Sequence, residues 1–252
     1  MAIYGIKDCA NLTLKEKATG KVALFSDYAN VSTNEWTAER VYANSKGTRS
    51  IAWDYDKQGT LAVEMEVFDL KWLALVAGSE IKQGEESIAK REIVYVGADK
   101  KASVTGSPVE GSVQVVKVGA DEIEHIGDPL TEVEATPTGE QFMSAGNEIT
   151  FATDAVEGEA YAVYFLTLDS QVKTIEISAD KFPKAYEVIA DAYIREKESG
   201  TDSFVQIHYP NARPQGSFTV TMSSSEPTNL AVTFDLFPDK NKRLATYKVI
   251  ND

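Results

Sequence analysis

The sequence predicts a mainly β protein, an antiparallel β-sandwich or barrel-forming sheet with one short helix. Three observations carry this. Apolar and polar residues alternate with period two along much of the chain. Only one stretch has the composition of a helix closed by a stop signal. Clusters of Gly, Asn, Asp, Pro and Ser punctuate the rest at short intervals. Strands with one buried and one wet face give this pattern in antiparallel sheets.

Taken in order, the first strands fall at 22–25 and 49–55. At 60–68, Leu61, Val63, Met65 and Val67 share one face, and Thr60, Ala62, Glu64 and Glu66 the other. Asp69 to Ala77 mixes Leu, Trp and Ala and stops at Gly78, so it reads as the helix. Short strands follow at 93–96, 112–118 and 148–152. Residues 161–166 are apolar on both faces, which places the strand at 161–167 between two packed layers. A strand at 174–177 precedes a single turn at 180–185, which Pro183 limits. The closing strands fall at 186–195, 204–209, 217–223, 229–237 and 245–250. In 217–223, Phe218, Val220 and Met222 oppose Ser217, Thr219, Thr221 and Ser223. In 229–237, Leu230, Val232, Phe234 and Leu236 oppose Ala231, Thr233 and Asp235. Turn chemistry marks Lys57-Gln58-Gly59, Thr138-Gly139, Glu157-Gly158, 199–202 and 238–241. One domain over 1–252 is expected. Polar, glycine-bearing stretches at 78–87 and 127–147 bracket residues 88–126 as an inserted β subdomain.

The chain carries 25 Lys+Arg against 39 Asp+Glu, a net charge of −14 over 252 residues. That argues against general nucleic-acid binding and against anionic membrane surfaces, both of which need clustered cations. With 43% hydrophobic and 10% aromatic residues, the chain can bury a core and is not disordered. Cys9 is the one cysteine, so no internal disulfide forms, which fits a reducing compartment. The run Leu70 to Ala77 is too short to span a bilayer.

Chemistry is hard to find. His125, beside Glu122 and Glu124, and His208, inside a strand, are too few for a metal centre of ordinary spacing. Asp54 and Asp56 alternate on a strand and lead into a turn, which reads as a solvated pair. Glu64 and Glu66 share a wet face. Cys9 has no neighbouring His, and no nucleophile elbow, phosphate loop or dinucleotide fingerprint occurs. No catalytic, cofactor-binding or metal residue is assigned, and the chain reads as a non-enzyme. Trp53 and Tyr55, sharing a face with Ile51, read as core, as does Trp72. Trp36 is freer, and a carbohydrate-binding β-sandwich is the alternative it leaves open.

The segment order resembles that of bacteriophage major tail tube proteins. The first segment is Arg49-Ser50-Ile51-Ala52-Trp53-Asp54-Tyr55, then Leu61 to Val67, then Phe68-Asp69-Leu70-Lys71-Trp72-Leu73-Ala74-Leu75. The second is Phe204 to Arg213, then Gly216 to Met222, then Leu230 to Asp239. The resemblance covers residues 1–80 and 145–252. It implies a tail-tube-like fold and a structural virion protein. Its copies would form stacked, hexameric rings in the viral tail, assembled in the host cytoplasm. The tape-measure protein and DNA would occupy the lumen without sequence-specific binding, and a sheath protein around the tube is an optional further partner. Small polar and acidic residues Ser217, Thr219, Thr221, Thr233 and Asp235 would then face the lumen. The N-terminal arm and the loop at Gln58-Gly59 would stack rings. A capsid decoration or tail-terminator protein is the nearest alternative role.

Overall fold

The computed structural model describes residues 3–6, 8–67, 69–225 and 230–250. The predicted strand ends at Phe68 and Asn229 lie outside the described residues. In chain order the strands are β1 Tyr4–Ile6, β2 Asn11–Glu16, β3 Val22–Ser26, β4 Val31–Ser45 and β5 Thr48–Met65. After the helix α1 Leu70–Val76 come β6 Lys82–Tyr95, β7 Lys101–Ser103, β8 Gln114–Lys117, β9 Thr131–Glu132, β10 Gln141–Ala145, β11 Glu148–Phe151 and β12 Ala160–Thr174. The last are β13 Tyr186–Glu196, β14 Asp202–Pro214, β15 Leu230–Leu236 and β16 Thr246–Ile250. The protein is mainly β, nearly all its pairings are antiparallel, and α1 is the one helix among the described residues. No sheet closes into a barrel.

Two compact units divide the chain. The first joins Met1–Ile81 to Ile175–Asp252, and the second is Lys82–Thr174. Residues 88–126 fall inside the second.

In the first unit one sheet runs β3-β2-β13-β14-β15-β5-β4, with β1 on β13 and β16 on β14. Alternation does the sorting. Leu12 and Leu14, Val188 and Ala190, Leu61 and Val63, and Val232 and Phe234 all turn into one buried cluster. That cluster draws on strands from β3 to β5, so these strands share a single core. The helix plugs it, with Trp72 fully buried and edge-on to Phe234 at 6.2 Å between ring centres. The Asp69 carboxylate caps α1 by accepting from the Lys71 amide at 2.8 Å. It also accepts from the Tyr28 hydroxyl at 2.5 Å. Gly78 ends the helix at φ +65, and an added Cβ there would lie 2.4 Å from the Phe182 backbone, so glycine is required.

The second unit has a sheet β6-β12-β8 and a sheet β7-β11-β10-β9. Val163, Phe165, Val94, Val115, Phe142, Ile149 and Phe151 form its core. Tyr161, Ala162 and Val163 are all buried, as expected for a strand between layers, but Leu166 is 38% exposed, so only the start of the strand is covered on both faces.

Several expectations are corrected. Residues 217–223 are extended, but only Val220 bridges to Leu230. The Gln215 amide still bonds the Thr233 carbonyl at 2.8 Å, and the chain then leaves the β15 edge. Phe218 and Val220 pack on the core regardless, so the alternation records side-chain burial without a ladder. The Lys57-Gln58-Gly59 turn is a kink inside the continuous β5. Pairing slips between Thr37/Gln58 and Glu39/Tyr55, with Asp56 at φ +50, as in a bulge. Beyond Thr174 the chain leaves the strand, and residues 180–185 form no helical turn. The polar stretch 78–87 does hold a boundary between the units, at Ile81/Lys82, where β6 begins, whereas 127–147 lies inside the second unit.

Candidate assembly surfaces

Cross-strand register puts polar side chains of three strands on one outer face. Asp235 pairs with Thr60, which pairs with Glu35. Thr233 pairs with Ala62, which pairs with Thr33. Ala231 pairs with Glu64, which pairs with Val31. The opposite faces of β15 and β5 are buried here, and that of β4 is partly so at Ser32 and Asn34. No Lys or Arg stands among those nine positions. The Asp235 carboxylate accepts from Gln215 Nε2 at 2.9 Å, and Arg213 on β14 is its cross-strand neighbour on the other side.

Four of the five residues singled out from the sequence meet here. Ser217, Thr219, Thr221 and Thr233 line one open depression with Gln215, Gly216, Phe218 and Ala231. Asp235 lies one step along β15 and lines the next depression with Glu35, Thr37 and Thr60. Sequence reasoning put Thr60 on the wet face of its own strand but missed Thr33 and Glu35 beside it. β4 alternates too weakly to be seen, and only its register against β5 brings these two residues in.

A second surface is the arm formed by β4 and β5 beyond the kink. Its tip is the two-residue turn Lys46-Gly47, both at positive φ, between Ser45 and Thr48. Register places Tyr55 opposite Glu39, Trp53 opposite Val41 and Ile51 opposite Ala43 on one face. Trp53 and Tyr55 are 51% and 55% exposed, which corrects their reading as core. No third strand or layer covers them among the described residues. On the other face Arg40 pairs with both oxygens of Asp54, and Arg49 stacks over Tyr42 at 4.2 Å. The Arg40 guanidinium holds the Asp54 carboxyl below the usual carboxylate range.

The remaining candidates for chemistry have structural partners. Asp56 accepts from Gln58 Nε2 at 2.7 Å, so it does not join Asp54 in a paired site. His208 Nε2 meets Glu187 at 2.8 Å, and His125 Nε2 meets the Tyr164 hydroxyl at 2.8 Å, some way apart in sequence and in different units. Trp72 is core, and Trp36 lies across Gly59 of the neighbouring strand. No helix is long and apolar enough to cross a membrane among the described residues.

The large sheet with a polar outer face and a projecting amphipathic arm can do mechanical work, joining copies of itself. Comparison with known proteins agrees in kind. The chain is 25% identical over 239 residues to a tail tube protein of Bacillus phage SPR, covering 93% of this chain and 84% of that one. The model of the YomU/Tube protein family matches residues 4–250. With essentially its whole length matched, the chain belongs to the YomU/Tube protein family.

Proposed function

We propose that the protein is the structural subunit of a phage tail tube. Copies join side by side into rings, six to a ring, and the rings stack into a hollow tube in the virion tail. The observation that carries this is the outer face of β15, β5 and β4, together with the open ends of its sheet. Eight of the nine paired positions on that face are small, polar or acidic, Val31 being the exception, as suits a channel wall for a polyanion. A wall without cations at these positions gives phosphates no counter-charge to bind and lets DNA slide instead of sticking. Ser217, Thr219, Thr221, Thr233 and Asp235 face the lumen in this arrangement, with Thr33, Glu35 and Thr60 beside them. The sheet ends at β3 on one side and β4 on the other, each with no further strand paired to it among the described residues. Unpaired edges are a hazard that neighbouring copies remove by pairing.

In the assembled tail the tape-measure protein fills the lumen before DNA does, and a sheath would sit outside. The subunit is made and assembled in the host cytoplasm. It performs no catalysis and carries no cofactor.

Negative-stain electron microscopy of the purified protein tests the reading. Rings or tubes of uniform bore are expected, and particles that stay monomeric at high concentration would sink it. Thr60→Lys with Thr233→Lys separates wall from scaffold. Tubes should still form, and virions built from them should release DNA more slowly.

A further inference from the structure

We propose that a basic notch on the first unit receives an acidic loop, residues 119–124, from a second copy of the chain. The inference rests on the self-assembly reading above.

The notch is open and holds about 400 Å³. Trp36, Leu244 and Tyr247 form its apolar walls, and Lys57, Lys242 and Arg243 are its cations. Arg243 is already engaged by Asp239, at 2.7 Å from Nη2 and 2.9 Å from Nε. Lys57 and Lys242 have no carboxylate partner among the described residues. Two uncommitted ammonium groups beside aromatic surface stand out in a chain of net charge −14.

The complement is in the second unit. Residues Lys82–Thr174 hold 7 Lys+Arg against 17 Asp+Glu, a net −10, whereas the rest of the chain holds 18 against 22, a net −4. The loop at 119–124 is pinned by its own backbone. The Gly119 amide donates to the Glu124 carbonyl at 2.9 Å, and the Glu122 amide to the Gly119 carbonyl at 3.0 Å. The Asp121 carboxylate accepts from the Ile123 and Glu124 amides, both at 3.1 Å. Arg91 donates to the Glu122 carbonyl. The turn thereby presents Ile123, 75% exposed, between the carboxylates of Glu122, which accepts from the Tyr95 hydroxyl and keeps its charge, and Glu124. An apolar side chain flanked by two anions matches an aromatic slot rimmed by two cations. Because the turn is already ordered, little conformational freedom is lost on docking.

The test uses the full chain and two charge-reversed forms. The notch form carries Lys57→Glu and Lys242→Glu, and the loop form carries Glu122→Lys and Glu124→Lys. Circular dichroism checks that both are folded, and light scattering with electron microscopy follows assembly. Each form alone should need about tenfold or more protein to assemble, because like charges then meet across the interface. A one-to-one mixture should recover wild-type assembly, since each form's loop now finds the other's notch. Two results overturn the proposal: assembly unchanged in either form, or recovery when all four substitutions share one chain but not in the mixture. A wild-type chain that never assembles removes the tube reading itself. A wild type that assembles beside indifferent variants removes only this contact.

Discussion

At Gly59 a single missing carbon decides how two strands meet. An added Cβ would lie 2.5 and 2.6 Å from the Trp36 ring and 3.3 Å from Leu236. Gly59→Ala should therefore push Trp36 off the sheet and lower stability by about 1–3 kcal/mol, the range for overpacking a filled site. Gly84→Ala is the control, because a Cβ there meets nothing within 4 Å. Urea midpoints of the two variants make the comparison. The half-buried Tyr28 and the buried Tyr161 set a second expectation. Burial, reinforced by Asp69, pushes the Tyr28 hydroxyl up to about 12, and burial beside Glu159 does the same for Tyr161. Each phenol keeps its proton more tightly folded than unfolded. The stability this confers is complete below about pH 10, the unfolded value, and is lost as pH rises through 12. A spectrophotometric titration of tyrosinate should show these groups ionising after the exposed ones and together with unfolding. A smooth single transition at pH 10 in a still-folded protein would contradict it.

Among the elements, the arm of β4 and β5 has the most to lose on its own. A two-stranded ribbon is at best marginal in water, and this one shows Val41, Ile51, Trp53 and Tyr55 to solvent. Its apolar face gains from contact with another copy. Replacing residues 40–55 by a two-residue turn should leave the unfolding transition of the core nearly unchanged and abolish tube growth. Sedimentation and thermal melts of the truncated chain check both halves of that statement. The arm also shows where sequence stops being informative. Ile51, Trp53 and Tyr55 alternate just as Leu61, Val63 and Met65 do, yet only the second set finds a partner layer. Alternation identifies a strand with an apolar face, and whether anything covers that face depends on distant residues. The helix was legible because its cap, its apolar run and its stop are all local. So were the strands built from 186–195, 204–209 and 229–237. β4 was not, because its polar and apolar residues fall on both faces. The outer polar face was half legible: Thr60, Thr233 and Asp235 from their own alternation, Thr33 and Glu35 only through register.

For the whole molecule, the charge count has moved. The excess acid suggested a negative channel wall, but most of it sits in the second unit, at −10 of the total −14. The face that suits a channel is mostly neutral and merely free of cations at its paired positions. Sliding of DNA then depends more on the absence of Lys and Arg than on a strong repelling field. Arg213 beside Asp235 weakens that field further at one end of the face.

The pairing of Lys82 with Thr174 has a consequence for how such a chain changes over generations. The second unit leaves the first and returns to it through neighbouring positions on two strands, as a drawer slides in and out through one slot. Ninety-odd residues could thus be gained or shed as a cassette without moving the ends they are spliced between. Joining Gln83 to Lys173 through a two-residue hairpin should give a shortened chain that still folds, with the near-ultraviolet signature of the buried Trp72 intact. Loss of that signature would show that the larger unit relies on its passenger.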